Sequence, residues 1–121
     1  MADESIRLIA HQKISPRDLE EFKELACVLN ADTKAEDTGV LEHEFFIGPD
    51  GTECYINELY ADSQAFLDHF TRLGPKLQRF DQISSIVESV VLGDPTPEAR
   101  AVLTRELKAK FFSPRHVGFC R

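Results

Sequence analysis

The sequence predicts an α+β domain on the ferredoxin-like plan, with an antiparallel sheet and an added C-terminal helix and tail. Three observations lead there. Four segments, 5–14, 40–47, 53–60 and 83–92, read as strands, and the middle two are joined by a Gly-Pro-Asp-Gly reversal. Two helical apolar stripes fall between them, giving the order strand-helix-strand-strand-helix-strand. The chain has 121 residues and 42% hydrophobic composition, which suits one domain with a real core. Residues 1–121 are read as that one domain: a core at 5–93, then a C-terminal helix and docking tail at 94–121.

The elements follow in order. In 5–14, Ile6, Leu8, Ala10 and Ile14 fall on one face; Arg7, Ile9, His11 and Lys13 fall on the other. Ser15 suits a helix N-cap, Pro16 the first turn, and Asp18 the positive helix end. Leu19, Phe22, Leu25, Ala26 and Leu29 then form an amphipathic stripe. The polar run 30–39 predicts that this helix frays there. In 40–47, Leu41, His43, Phe45 and Ile47 share a side, with Glu42 and Glu44 opposite. Pro49 presets a turn and Asp50-Gly51 tolerates positive dihedrals, so 53–60 is the second arm of a hairpin.

Asp62 caps a second helix that runs to Leu73, where Gly74-Pro75 stops it; a short helical turn at 75–81 follows. The β-branched run 83–92 is the fourth strand, with Ile86, Val90 and Leu92 opposing Val87 and Val91. Thr96-Pro97-Glu98 starts a third helix carrying Ala99, Val102, Leu103 and Leu107. The tail 111–121 is too aromatic to float free and is expected to dock, a short edge strand being one way. Both faces of the strands carry apolar residues. Helices can cover one; a second copy, sheet against sheet, is expected to cover the other.

Composition bounds the function. Acidic residues outnumber basic ones by 21 to 14, a net charge of −7, and basic residues are interleaved with Glu, so nucleic acid is not an expected partner. The acidic MADES start has no apolar run like a signal peptide, and no stretch approaches the ~20 residues of a membrane span. Three widely spaced cysteines without a CxxC pair point to a reduced, cytoplasmic setting. Cys27 and Cys54 read as packing thiols. No GxGxxG, P-loop or GxSxG is present, and His11, His43 and His69 lack metal-ligand spacing, so no cofactor and no metal are expected.

The candidate chemistry centres on His69. It shares a helix face with Phe66, Phe70 and Leu73, where a leucine would pack better and a titratable ring needs a partner. Two roles are open to it: a core histidine satisfied by Glu58 or a carbonyl, or a proton-transfer group working near neutrality. Phe66, Phe70, Leu73 and Phe80 would line an apolar chamber for a flat ligand, with Arg79 at its edge holding an anionic oxygen.

The stretch 58–69, ELYADSQAFLDH, resembles the signature of the antibiotic biosynthesis monooxygenase-like family: an acidic residue, an aromatic, an Asp cap, an Ala, then a His on the same helix. The resemblance covers about residues 5–93. It implies a dimeric α+β barrel with a pocket in each subunit. It also implies cofactor-independent oxidation of a small aromatic or quinol substrate by O2. Carried over, His69 is the base or proton relay, and Tyr60 and Glu58 orient it or the ligand. The chain has no Trp, and no His falls in 75–82, so the haem-degrading branch of the family does not fit. Two other readings stay open: a non-catalytic dimeric small-molecule-binding module, and an isomerase or lyase acting on a small carbonyl metabolite.

Overall fold

A five-stranded sheet in the order β2-β3-β1-β4-β5 carries its helices on one face. The computed structural model describes residues 4–121; Met1 to Asp3, part of the acidic start, lie outside them. The elements are β1 (Ile6–Ile14), α1 (Leu19–Glu36), β2 (Val40–Ile47), β3 (Glu53–Tyr60), α2 (Ser63–Leu73), α3 (Leu77–Ile83), β4 (Ser84–Leu92), α4 (Pro97–Leu107) and β5 (Ala109–Phe112). Single 3-10 turns at Pro16–Asp18 and Gly74–Lys76 precede α1 and α3. All strand pairs are antiparallel except β4 with β5, which is parallel. This is the predicted ferredoxin-like α+β plan with one extra edge strand.

The alternation of β1 holds: Ile6, Leu8, Ala10 and Ile14 are buried against the helices, while Arg7, Ile9, His11 and Lys13 are not. The hairpin also forms as read. Gly51 takes φ 74°, Gly51 N–H donates to the Gly48 carbonyl, and Asp50 accepts from Thr52 N–H and Oγ. A side chain at Gly51 would need the positive φ and would also meet Leu19 Cδ2 at 2.6 Å, so the turn has room for glycine alone.

Two β-bulges change the predicted faces. One lies between Val40 and Glu42, so Val40 and His43 point inward and Leu41, expected beside His43, is 57% exposed. The other lies where His11-Gln12 of β1 opposes Ile86 to Glu88 of β4. It splits the predicted set: Ile86 and Val91 pack inward, while Val90 and Leu92 join Val87 on the outer face.

The polar run 30–39 does not fray. Helix α1 continues to Glu36 because tertiary bonds hold its last turns: Asn30 to His43, Asp32 to Arg72 and Lys76, with Thr33 buried beneath. Ser15 makes no side-chain cap, whereas Asp62 accepts from Ala65 N–H at 2.8 Å and Thr96 from Ala99 N–H. The tail docks only at its start. Phe111 packs on the core under the Arg100 guanidinium, but Val117 and Phe119 are 83% and 82% exposed.

The core forms two clusters beneath the sheet. One gathers Ala10, Phe22, Leu29, Ile56, Leu73 and Phe80; the other gathers Leu8, Tyr60, Phe66, Val91 and Leu103. The site described next lies at their junction.

Candidate active site

Helix α2 is positioned by the Asp62 cap at its start and by an ion-pair clasp near its end. Arg72 on α2 donates from Nε and Nη2 to both oxygens of Asp37 at 2.8 Å, and from Nη1 to Asp32 at 2.7 Å. Asp37 is the residue that caps the C-terminus of α1, its N–H donating to the Thr33 carbonyl. The clasp fixes the end of α1 against the last turn of α2, and so places a carboxylate beside His69. Bidentate guanidinium–carboxylate pairs are the strong, orienting kind.

His69 is 5% exposed and held from both sides. Its Nδ1 lies 2.7 Å from Asp37 Oδ2, and its Nε2 lies 3.5 Å from Glu58 Oε1. Burial alone would lower the His69 pKa, but the Glu58 and Asp37 carboxylates outweigh it and raise the pKa above the ordinary value. Carboxylates facing both ring nitrogens favour the imidazolium. Asp37 is held down at about 2, first by the Arg72 hydrogen bonds and then by His69.

Glu58 stands at the centre. Tyr60, two residues along the same face of β3, donates its hydroxyl to Glu58 Oε1 at 2.6 Å. Burial would push the Glu58 carboxyl up; His69, His43 and the tyrosine bond together bring it below the ordinary value. Burial and the Glu58 charge drive the Tyr60 phenol well above its own, so it remains a donor. The third neighbour is His43 on β2, whose Nε2 lies 3.7 Å from Glu58 Oε1. Burial lowers its pKa, outweighing the Glu58 charge, which raises it.

Asn30 on α1 sets which nitrogen of His43 carries the hydrogen. Its amide Nδ2 lies 2.6 Å from the His43 carbonyl and 3.0 Å from His43 Nδ1. An amide nitrogen only donates, so Nδ1 accepts and the ring hydrogen sits on Nε2, aimed at Glu58. The ligating atoms of His43, Glu58 and His69 lie within 4.8 Å of one another, the donor set of a two-histidine, one-carboxylate metal site. A metal needs the Nε2 lone pairs, and here the Asn30 contact places the hydrogen of His43 on its Nε2.

A cavity of about 90 Å³ opens beside this assembly at the junction of the two core clusters. Its polar wall is His43, Glu58, Tyr60 and His69, and its apolar wall includes Phe66, Phe70, Leu73 and Phe80. Gln12 of β1, only 8% exposed, lines it as well, as does Asp81 of α3, with its pKa raised by burial and by Glu106.

The structure brings together seven of the eight site residues named from sequence: His69, Tyr60, Glu58, Phe66, Phe70, Leu73 and Phe80 all line the cavity. Arg79 does not. It is half-exposed and bound through Nε and Nη2 to both Glu21 oxygens at 2.6 Å, because it points off α3 toward α1 rather than inward. His11 stays apart from His43 and His69, stacked on Tyr55 on the outer sheet face at 4.4 Å. Cys27 is exposed, not packed, while Cys54 is buried with its thiol pushed up to about 11. Sequence reasoning missed Asp37, Asn30 and Gln12, and weighed His43 only as a metal ligand. The hairpin register held one unused signal: a turn at 48–53 places position 43 opposite position 58.

No family model and no curated protein matches the chain. Solved structures do. MupZ from Pseudomonas fluorescens is 26% identical, over 98% of this chain and 95% of that one, with a TM-score of 0.79. A protein from Caulobacter crescentus provisionally named an antibiotic biosynthesis monooxygenase is 21% identical over 74% of this chain and 86% of that one, TM-score 0.64. A second so named, from Bacteroides thetaiotaomicron, is 20% identical over 80% and 92%, TM-score 0.63. Among the described residues no helix is long and apolar enough to cross a membrane. The chain shares its fold with solved structures provisionally named antibiotic biosynthesis monooxygenases, the group its 58–69 stretch resembles.

Proposed function

We propose that the chain is a cofactor-independent monooxygenase that oxidises a small phenol or quinol with O2, the Asp37–His69–Glu58 assembly moving the proton. The observation that carries this reading is the buried ionic chain opening onto a mainly apolar cavity. An apolar pocket with a few convergent polar groups and shifted pKa values is where proton chemistry is expected. The balance needs nothing further: a phenol with a free ring C–H plus O2 gives a quinone plus water. The substrate supplies the electrons, and its two lost hydrogens end in the water. Glu58 takes the phenolic proton, and the ring anion then becomes oxidisable. His69, charged and backed by Asp37, returns a proton as oxygen is reduced. The role given to His69 is thus relay rather than base.

The cavity is smaller than the roughly 150 Å³ space known to hold benzene, so a ring enters only as the half-buried Phe70 and Leu77 swing aside. A homodimer across the open sheet face and a cytoplasmic setting belong to the same proposal. They are supported by exposed Phe46, Tyr55, Val87 and Leu92 on that face and by three free cysteines.

A second reading has its own observation. An ionised carboxylate beside an imidazolium is a complete acid–base pair, enough to isomerise or cleave a small carbonyl compound without oxygen. An oxygen electrode with a panel of phenols, quinols and hydroxycarbonyl compounds separates the two. Oxygen uptake that falls ~10²–10⁴-fold in Glu58→Gln supports the first. Turnover without uptake supports the second, and ligand-induced thermal stabilisation with no turnover supports a binding module.

A further inference from the structure

We infer that His43 Nε2–H and His69 Nε2–H form a two-donor site for an ionised ligand oxygen, a phenolate or enolate, and that Asn30 is the positioning residue that creates it. The inference deepens the proton-transfer reading above and rests on it. Both N–H groups aim at one carboxylate oxygen, Glu58 Oε1, yet from 3.5 and 3.7 Å. Both distances exceed those of a well-made hydrogen bond, so the two donors are pre-aimed but not consumed. The rings themselves are 5.6 Å apart at 70°, leaving an angular gap that lines the cavity. Such donors, fixed before the ligand arrives, act on charge where it develops.

The fixing is visible on both rings. Asp37, itself clamped by Arg72, takes His69 Nδ1, and Asn30 Nδ2 takes His43 Nδ1 and the His43 carbonyl together. The amide is what matters at position 30. An aspartate there would accept from His43 Nδ1–H instead, turning the Nε2 lone pair toward Glu58 and His69. The same three residues would then present a metal-binding set. Asn30 therefore selects an oxyanion ligand over a cation. On binding, the hydroxyl hydrogen of a phenol passes to a Glu58 oxygen. The phenolate takes the His43 and His69 donors, and no charge is added to the site. The other polar groups lining the cavity are Tyr60 from β3, Gln12 from β1 and Asp81 from α3, whose carboxyl burial pushes up.

The test uses wild-type protein first. Long-range nitrogen–proton correlation spectra of the histidine rings are expected to show His43 hydrogenated at Nε2; hydrogen on Nδ1 overturns the inference. Para-nitrophenol, whose anion is coloured, is the ligand probe. Bound to wild type, its apparent pKa is expected to fall by about one unit, a tenfold gain in anion at a pH where the free phenol is mainly neutral. A bound probe that ionises no more readily than in water overturns the inference. Asn30→Asp is expected to abolish that shift and to bind Co²⁺ with a visible absorption band, while wild type takes up none. Equal cobalt binding by both overturns it. Asn30→Ala, which removes the amide without supplying an acceptor, is expected to lose the shift without gaining cobalt. None of these readouts uses oxygen. Failure here with oxygen uptake intact sinks only the two-donor site, and the converse sinks only the oxidation.

Discussion

Asp37 and His69 stabilise one another, and each leaves a separate mark on pH dependence. The Asp37 carboxyl is depressed to about 2, so its contribution is present above the ordinary carboxylate value of ~4 and lost as pH falls toward 2. The shift corresponds to roughly 2 kcal/mol. His69 is raised, so its contribution is full below ~6.5 and lost as pH climbs through its folded value. Thermal melts of the wild type are therefore expected to peak between about pH 4 and 6.5. In His69→Gln the loss on the alkaline side is expected to vanish; an unchanged profile contradicts the pairing. The His69 demand for a partner was legible in sequence, because a titratable ring stood among Phe66, Phe70 and Leu73. Its second carboxylate was not. Asp37 came from a polar run read as a frayed end, which bonds to His43, Arg72 and Lys76 hold in order.

The elements were read best where a local rule decides them. Asp62 makes its predicted cap, and Asp62→Ala is expected to cost about 1 kcal/mol in denaturant unfolding. Where two elements decide together, the strand patterns failed. Both bulges arise from strand pairing, and a single strand cannot announce them. One of them serves the site, because it lets Val40 and His43 both point inward on β2. Gly39 has a comparable role just before β2. A Cβ there would come within 2.7 Å of Ala65 Cβ, so Gly39→Ala must push α2 away from the end of α1. The expected result is a loss of about 1–3 kcal/mol together with a shifted His69 ring resonance. A melt and spectrum matching the wild type would show that the close approach is not needed.

Among the described residues, nothing covers one face of the sheet. Its helices lie on the other face, so Phe46, Tyr55, Val87, Leu92 and Phe112 stand exposed among Arg7, Glu42 and Asn57, which bond one another. The chain is expected to sediment at twice its mass and Tyr55→Glu as a monomer; a monomeric wild type at micromolar concentration removes the dimer from the account. The sequence foretold this face because apolar residues stood on both sides of β3 and β4. The tail follows its reading only at the start, where Phe111 packs on the core and β5 adds an edge strand; Val117 and Phe119 stay outside.

The central claim is that this buried ionic chain oxidises a small phenol with O2 and no cofactor. Turnover under ¹⁸O₂ with mass analysis of the product tests it most directly. The account predicts a quinone carrying one labelled oxygen, with the second label in water. A product free of label, formed equally well without oxygen, would contradict it.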